Sequence, residues 1–110
     1  MIVRIWRTEI DTGRARDYEA FVRQRSQPMF RAQPGFLGVF YTLAGPERAV
    51  VTLWSDISSV ASLATSPTYA RTVAAIEESG MLVGNQTTEV FESTYGYLSD
   101  DVPELIGTKS

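Results

Sequence analysis

Residues 48–56 read Arg-Ala-Val-Val-Thr-Leu-Trp-Ser-Asp, and the other predicted elements are placed relative to this stretch. Residues 49–54 carry no charge and are rich in Val, Leu and Trp, which is typical of a strand with both faces covered. Ser55 and Asp56 can then accept hydrogen bonds from the first free amides of a helix that begins near Ile57. The stretch predicts a central strand that passes directly into a helix, with Trp54 at the junction.

The chain before this stretch predicts a strand followed by an amphipathic helix. Residues 2–10 carry apolar side chains on both faces and form the first predicted strand. Asp11 offers a cap for the helix, whose apolar residues recur at helical spacing. These residues are Ala15, Tyr18, Phe21 and Val22. Pro28 lacks an amide hydrogen, so the helix should kink or restart there before residues 33–35 end it.

The remaining elements complete a βαββαβ order. Residues 36–43 predict a second strand, joined by a tight turn at residues 44–47 to the strand that ends at Trp54. A short helix follows, and it restarts at residues 66–67 with Ser as cap and Pro at the first helical position. The last predicted strand spans residues 86–97. It places three aromatic side chains on one face, those of Phe91, Tyr95 and Tyr97.

This order predicts an α+β, ferredoxin-like fold, in which two helices cover one face of a four-stranded antiparallel sheet. The strands are apolar on both sides, so the helix-free face should pack against something. A second copy of the chain is the simplest partner, and we expect a homodimer formed through the sheet faces. The predicted domain spans residues 1–97, and residues 98–110 form a C-terminal tail. Three apolar tail residues could contact a neighbour: Val102, Leu105 and Ile106.

Composition excludes several classes of function. With 110 residues the chain is expected to form one domain, and its net charge of −3 argues against nucleic-acid binding. The sequence contains neither His nor Cys, which excludes disulfides, thiol nucleophiles, Ser-His triads and imidazole metal ligands. No metal site and no cofactor are predicted. Arg interrupts the apolar residues of the first segment, so no signal peptide or membrane span is predicted and a soluble, cytoplasmic protein is expected.

Four short motifs resemble one known family. They are the opening strand Ile2-Val3-Arg4-Ile5-Trp6-Arg7, the turn Gln33-Pro34-Gly35-Phe36-x-Gly38, the junction Leu53-Trp54-Ser55-Asp56 and the late strand Val90-Phe91-Glu92. Together they resemble the antibiotic biosynthesis monooxygenase family of dimeric α+β barrels, over nearly the whole predicted domain. One such scaffold commonly hosts unrelated chemistries, so the resemblance is more specific for fold than for activity.

The resemblance implies a pocket between the sheet and the helices of each subunit. In the oxygenases of this family a Trp at the end of the third strand lines that pocket, and Trp54 matches it. Other branches of the family include quinol oxygenases and signal-molecule isomerases. The haem-degrading branch relies on a helix His as iron ligand, which this sequence does not have.

An oxygenase without metal or flavin needs an electron-rich substrate, such as a phenol or hydroquinone, that reacts with oxygen after losing a proton. The protein must then supply an apolar slot, stabilise the phenolate and exclude water. The candidate catalytic residues are Trp54, Arg71 and Asn85. The candidate substrate-binding residues are Trp6, Phe21, Tyr69 and Tyr95, for a small aromatic molecule.

Each candidate also has a structural interpretation. Trp54 and Trp6 are equally typical of a core or a dimer interface, because large aromatic residues dominate both. Arg71 is consistent with a solvated helix face, and Asn85, which follows a glycine, with a turn. Tyr hydroxyls that are buried usually bind backbone groups.

Arg4 stands out because it lies within an apolar strand. Its most direct interpretation is a buried ion pair with a carboxylate of the last strand, either Glu89 or Glu92.

Two functions of different classes remain open. The first is a cofactor-independent monooxygenase acting on an aromatic polyketide-like or quinol-like molecule, which an open, dry pocket beside Trp54 would favour. The second is a non-catalytic dimer that binds a small molecule or has a structural role. A pocket filled by Trp54, Tyr69 and Phe21 would favour the second.

Overall fold

A computed structural model describes residues 1–105 of the chain. Its centre is an antiparallel sheet of four strands in the order β2-β3-β1-β4. The strands are β1 (Ile2–Ile10), β2 (Phe36–Ala44), β3 (Glu47–Trp54) and β4 (Leu82–Glu92). The predicted βαββαβ order of the elements and the central position of β3 are confirmed.

The first helical segment connects β1 to β2 and changes its geometry along its length. A 3₁₀ turn at Thr12–Arg14 leads into α1 (Ala15–Phe21), a π-helical turn at Val22–Ser26 and α2 (Gln27–Arg31). The Asp11 carboxylate accepts a hydrogen bond from the amide of Gly13 at 3.0 Å and so begins the segment as predicted. Pro28 lies in the first turn of α2, directly after the π-helical turn, so its missing amide hydrogen removes a bond from a segment that is already helical.

The second helical segment connects β3 to β4. It contains α3 (Ile57–Ala61), a 3₁₀ turn at Ser62–Thr65 and α4 (Pro67–Glu78). Asp56 caps α3 by accepting a hydrogen bond from the amide of Ser59 at 2.8 Å. The hydroxyl of Ser66 caps α4 by accepting one from the amide of Tyr69 at 3.2 Å. Both predicted caps are confirmed, and a short helix, α5 (Val102–Leu105), follows the sheet.

A glycine turn fixes the start of β2 against α3. Gly35 has a φ of 77°, and a Cβ atom at this position would overlap the side chain of Ser59. The Gly35 carbonyl accepts a hydrogen bond from the amide of Ser55 at 2.9 Å. A residue without a side chain is therefore needed where the turn meets the β3–α3 junction.

Both helical segments pack on one face of the sheet and form its core there. The buried apolar residues fall into two clusters, one around Trp54 and the other around Ile10. The first contains Ile2, Met29, Phe30, Val50, Trp54 and Leu63, and the second Ile10, Tyr18, Val22, Ile76 and Met81. The opposite face is only half-buried in the isolated chain, so the coverage of both faces predicted for β3 is not provided within one chain.

The predicted last strand is wrong in its limits. β4 begins at Leu82, which lies opposite Ile10, and ends at Glu92, which lies opposite Ile2. After one further hydrogen bond, from the Ser93 amide to the Met1 carbonyl, β1 offers no more backbone to pair with. Tyr95 and Tyr97 therefore lie outside the sheet.

The pairing predicted for Arg4 is also wrong. In the β1–β4 register Arg4 lies opposite Val90 and its side chain is on the helix face, whereas Glu89 lies opposite Ile5 on the other face. Glu92 lies opposite Ile2, on the same face as Arg4, but within residues 1–105 it forms no ion pair with Arg4. Glu89 forms its ion pair with Arg7. Alternation of side chains along β1 separates Arg4 from that carboxylate.

The C-terminal tail is described only in part. Val102 and Leu105 lie in α5, and Ile106 lies outside the described residues. Within residues 1–105, no helix has the length and apolar character needed to cross a membrane.

Candidate functional site

A cavity of about 170 Å³ lies between the sheet and the two helical segments. Its walls are mostly apolar and aromatic, and the polar side chains come from separate elements. The apolar and aromatic lining residues are Trp6, Tyr18, Phe21, Val22, Met29, Phe30, Tyr41, Val50, Tyr69, Val73 and Ile76. The polar ones are Arg4, Ser26, Thr72, Gln86 and Thr88. A slot of this kind suits a small aromatic molecule.

Arg4 brings a buried positive charge to this cavity. Its side chain projects from β1 beneath α4, where Nη2 donates a hydrogen bond to the Tyr69 hydroxyl at 2.8 Å. The guanidinium also lies 5.6 Å from the centre of the Tyr69 ring. Arg4 is only 7% exposed, and within residues 1–105 no carboxylate forms an ion pair with it. Its charge is therefore available to a bound anion.

Three hydroxyl groups, those of Tyr18, Ser26 and Tyr41, form a second polar region that we call the hydroxyl cluster. The Ser26 and Tyr41 hydroxyls share a hydrogen bond of 2.8 Å. Burial raises the pKa of Tyr18 to about 12, although the charge of Arg48 opposes the increase, and the neighbouring Tyr41 adds to it. Burial likewise raises the pKa of Tyr41, although the bond with Ser26 opposes the change. Both phenols are neutral at physiological pH and act as hydrogen-bond donors.

The cavity reaches the protein surface at β4. Trp6 Nε1 donates a hydrogen bond to Gln86 Oε1 at 3.1 Å, and Gln86 and Thr88 are both exposed. The bond holds the Trp6 indole across the edge of the sheet. An incoming ligand would therefore pass the Trp6 ring before it reaches Arg4.

Three predicted substrate-binding residues line the cavity: Trp6, Phe21 and Tyr69. They come from β1, α1 and α4, and the fold brings them together across the two layers. Their roles in binding stay predictions.

Trp54 does not line the cavity, so that prediction is wrong. Its side chain is fully buried in the core, where its ring lies 5.6 Å from that of Phe36 and 6.3 Å from that of Phe30. Its indole nitrogen donates to the Thr52 hydroxyl at 2.7 Å. Phe30 of α2 packs over Trp54 and lines the cavity, which is the position that had been predicted for Trp54.

Arg71, Asn85 and Tyr95 also lie outside the cavity. Arg71 is on the exposed side of α4, because the buried side of that helix presents Thr72 and Ile76. Asn85 is exposed on β4, next to the positive-φ residue Gly84. Tyr95 follows the end of β4 and is 90% exposed. None of the three is in a position to contact a ligand held in the cavity of this chain.

Arg4, the hydroxyl cluster and Gln86 were not predicted as site residues. Two signals could have found most of them. Arg4 has the same parity as Trp6 in β1, so the two share a face. Tyr18, Val22 and Ser26 recur every four residues, which places Ser26 on the apolar side of the helix.

No metal-binding cluster of three or more acidic, His or Cys side chains occurs within residues 1–105. The charged side chain of the cavity is that of Arg4, which carries no lone pair for a metal ion. The arrangement is suited to organic anions.

Comparisons with known sequences give no match: neither a protein-family model nor a curated protein resembles the chain at a significant level. Solved structures do match it. A provisionally named antibiotic biosynthesis monooxygenase from Deinococcus radiodurans aligns with a TM-score of 0.73 over 90% of this chain and 98% of its own, at 10% identity. A provisionally named member from Nitrosomonas europaea aligns with a TM-score of 0.69 over 86% of this chain and all of its own, at 11% identity.

SnoaB from Streptomyces nogalater, described as a cofactor-independent oxygenase, aligns with a TM-score of 0.68. The alignment covers 86% of this chain and 94% of SnoaB, at 14% identity. The chain has the fold of the antibiotic biosynthesis monooxygenases. The predicted resemblance and the predicted α+β, ferredoxin-like class are thereby confirmed. At these identities the antibiotic biosynthesis monooxygenase likeness concerns the fold, and the chemistry has to be argued from the cavity.

Proposed function

We propose that the protein is a cofactor-independent monooxygenase that acts on a small, electron-rich aromatic molecule of the phenol or quinol type. The observation that carries the proposal is the buried, carboxylate-free guanidinium of Arg4 in an aromatic cavity. A cation in such surroundings favours the deprotonated form of a phenol. The deprotonated form is also the more reducing one. The contact with Arg4 would therefore both bind the substrate and activate it toward oxygen.

The proposed reaction balances without an added reductant. The substrate anion transfers one electron to O₂, and the two radicals combine to form a carbon–oxygen bond. Protonation gives a hydroperoxide, whose oxygen–oxygen bond breaks as water leaves. One oxygen atom remains in the substrate as a carbonyl oxygen. The other leaves as water with two hydrogens of the substrate, namely the proton first lost from the hydroxyl group and the hydrogen of the attacked carbon.

The cavity residues have distinct roles in this scheme. The Arg4 guanidinium and the Tyr69 hydroxyl, which are joined by their hydrogen bond, hold the anionic oxygen. Phe21 and the apolar residues of the helices exclude water, which strengthens the attraction between the anion and Arg4. Trp6 forms the wall nearest the surface and orients the ring by stacking.

Arg4→Gln tests the proposal directly. With a phenol or a hydroquinone as substrate, oxygen uptake by the wild type should exceed the rate without protein. In the variant, kcat/KM should fall by about 100-fold or more, because a preorganised group that stabilises developing negative charge is lost. An oxygen electrode measures the rate, and mass spectrometry identifies the added oxygen atom with ¹⁸O₂.

Arg71→Gln is the matched control, because it removes the same charge from an exposed side of α4. Its rate should equal that of the wild type. Equal rates for Arg4→Gln and the wild type would contradict the proposed role of Arg4. No protein-dependent oxygen uptake with phenols and hydroquinones would contradict the oxygenase itself.

A non-catalytic binding protein is the second candidate function. The observation that favours it is that no lining residue is a carboxylate or an imidazole able to remove a proton from the ligand. Such a protein would bind aromatic anions through Arg4 and consume no oxygen. Calorimetric binding without oxygen uptake would distinguish it from the oxygenase.

A further inference from the structure

The hydroxyl groups of the cavity have more protons than acceptors. In the bond between Ser26 and Tyr41, one hydroxyl donates and the other keeps a proton without an acceptor among residues 1–105. The Tyr18 hydroxyl has no hydrogen-bond partner in that part of the chain. Its oxygen is not fully buried. The hydroxyl cluster therefore presents two uncommitted donors.

The hydroxyl cluster is separate from the Arg4–Tyr69 pair. Arg4 on β1 lies in register with Thr52 of β3, whereas Tyr41 on β2 lies in register with Val50. From these pairings the two residues are two strands apart, roughly 10 Å, and two residues apart along the strands, roughly 7 Å. Arg4 meets α4, and Tyr41 meets the first helical segment at its π-helical turn. The two groups reach the cavity from different sides.

The space between them limits the ligand. The cavity holds about 170 Å³, and a protein cavity of roughly 150 Å³ is known to take up benzene. Typical pockets for larger ligands have roughly 300 to 1,000 Å³. One aromatic ring with small substituents matches the volume.

We propose that the hydroxyl cluster is a specificity-determining site that donates hydrogen bonds to a second, acceptor oxygen on a one-ring substrate. The anionic oxygen of this substrate binds Arg4 and Tyr69, so the inference rests on the proposed function for the orientation of the ring. Rings that carry an acceptor group across from the anionic oxygen are preferred. Rings that carry an alkyl group there leave the donors of Tyr18 and of the Ser26–Tyr41 pair without an acceptor and bind more weakly.

The inference is tested by measuring the binding of 4-nitrophenol and 4-ethylphenol in the absence of O₂. Both have one ring and a phenol, but only 4-nitrophenol has an acceptor group opposite the hydroxyl. Isothermal titration calorimetry should give tighter binding of 4-nitrophenol. In Tyr41→Phe its affinity should fall about 3- to 10-fold, whereas the affinity for 4-ethylphenol should be unchanged. Tyr95→Phe, which removes an exposed hydroxyl, should change neither.

Absorbance reports the orientation of 4-nitrophenol independently of affinity. Bound beside Arg4 at pH 6, it should ionise more than in free solution and become more yellow. Tyr41→Phe should keep this change at saturation, and Arg4→Gln should lose it. Retention of the colour change in Arg4→Gln would overturn the assigned orientation.

Loss of affinity for both ligands alike in Tyr41→Phe would overturn the inference, because a packing defect has that effect. An unchanged ratio of the two affinities would overturn it as well. If circular dichroism shows that Tyr41→Phe does not fold, the same ratio in Tyr18→Phe decides. Discrimination without oxygen uptake supports the hydroxyl cluster and contradicts the oxygenase. Oxygen uptake that depends on Arg4, without discrimination between the two ligands, supports the oxygenase and contradicts the role of the hydroxyl cluster.

Discussion

At the residue scale, Trp54 illustrates how a large aromatic side chain serves the core instead of the cavity. Its ring contacts those of Phe30 and Phe36, and its one polar group is satisfied by Thr52. Because its N–H is already hydrogen-bonded within the core, the buried indole would gain no further hydrogen bond by facing a ligand. Trp54 therefore stabilises the junction between β3, α2 and the start of β2.

We expect Trp54→Ala to destabilise the protein by about 3 to 5 kcal/mol, because it removes a large buried side chain and leaves a cavity. Urea denaturation monitored by circular dichroism measures the change. Trp6→Ala is the matched comparison, and its loss should be smaller because Trp6 is half-buried at the cavity mouth. A Trp54→Ala protein as stable as the wild type would contradict the packing role of Trp54.

At the element scale, the β3–α3 junction depends on one carboxylate. Hydrogen bonds from the Ser58 hydroxyl, and then from the amide and hydroxyl of Ser59, lower the pKa of Asp56. The folded state therefore favours the ionised cap. A carboxyl group whose pKa is lower in the folded state stabilises the protein above its unfolded pKa, near 3.9, and this contribution disappears as the pH falls through the folded pKa.

Asp56→Ala should lower the melting temperature at pH 7, because the amide of Ser59 loses its capping acceptor. The difference from the wild type should shrink as the pH is lowered below about 4. Differential scanning calorimetry across this range measures it. Asp101→Ala, an exposed carboxylate outside the sheet and its helices, should have little effect at either pH. A constant difference across the range would contradict the ionised cap.

The first helical segment shows how one element builds the cavity wall. Its π-helical turn at Val22–Ser26 adds a residue to the helical repeat, and such turns are frequent at functional sites. Ser26 is buried at the end of this turn and meets Tyr41 of β2. The element thereby connects the helical layer to the hydroxyl cluster.

At the scale of the whole molecule, the helix-free face of the sheet is a continuous apolar surface. It contains Val3, Ile5, Phe40, Val51, Leu53 and Phe91, which alternate with the residues that face the helices. All are partly exposed in the isolated chain, and Phe91 is 50% exposed. Apolar surface of this extent favours association, and the sheet-to-sheet homodimer stays our prediction.

Analytical ultracentrifugation at micromolar concentration should give a dimer for the wild type. Val51→Arg should give a folded monomer, because the charge would be buried unpaired in the centre of the interface. Ile57→Arg, at an exposed position on α3, should remain a dimer. A monomeric wild type would contradict the predicted interface.

The sequence by itself determined the order of the strands and helices, the caps at Asp11, Asp56 and Ser66, and the fold class. These features follow from local causes: the alternation of side chains in strands, the spacing of apolar residues in helices, and the hydrogen bonds that side chains make to nearby amides. Through the family resemblance, Trp6, Phe21 and Tyr69 were also predicted to lie around one pocket, and all three line the cavity.

Only the tertiary structure decided which side chains end in the core and which face the cavity. Trp54 and Trp6 lie on the same face of adjacent strands, and α2 covers the first while the edge of β4 leaves the second accessible. In the register of β1 with β4, Glu89 forms an ion pair with Arg7. Arg4 instead donates a hydrogen bond to Tyr69, a residue far along the chain. Contacts between distant segments set these outcomes, whereas local spacing gives only the face of the element on which each side chain lies.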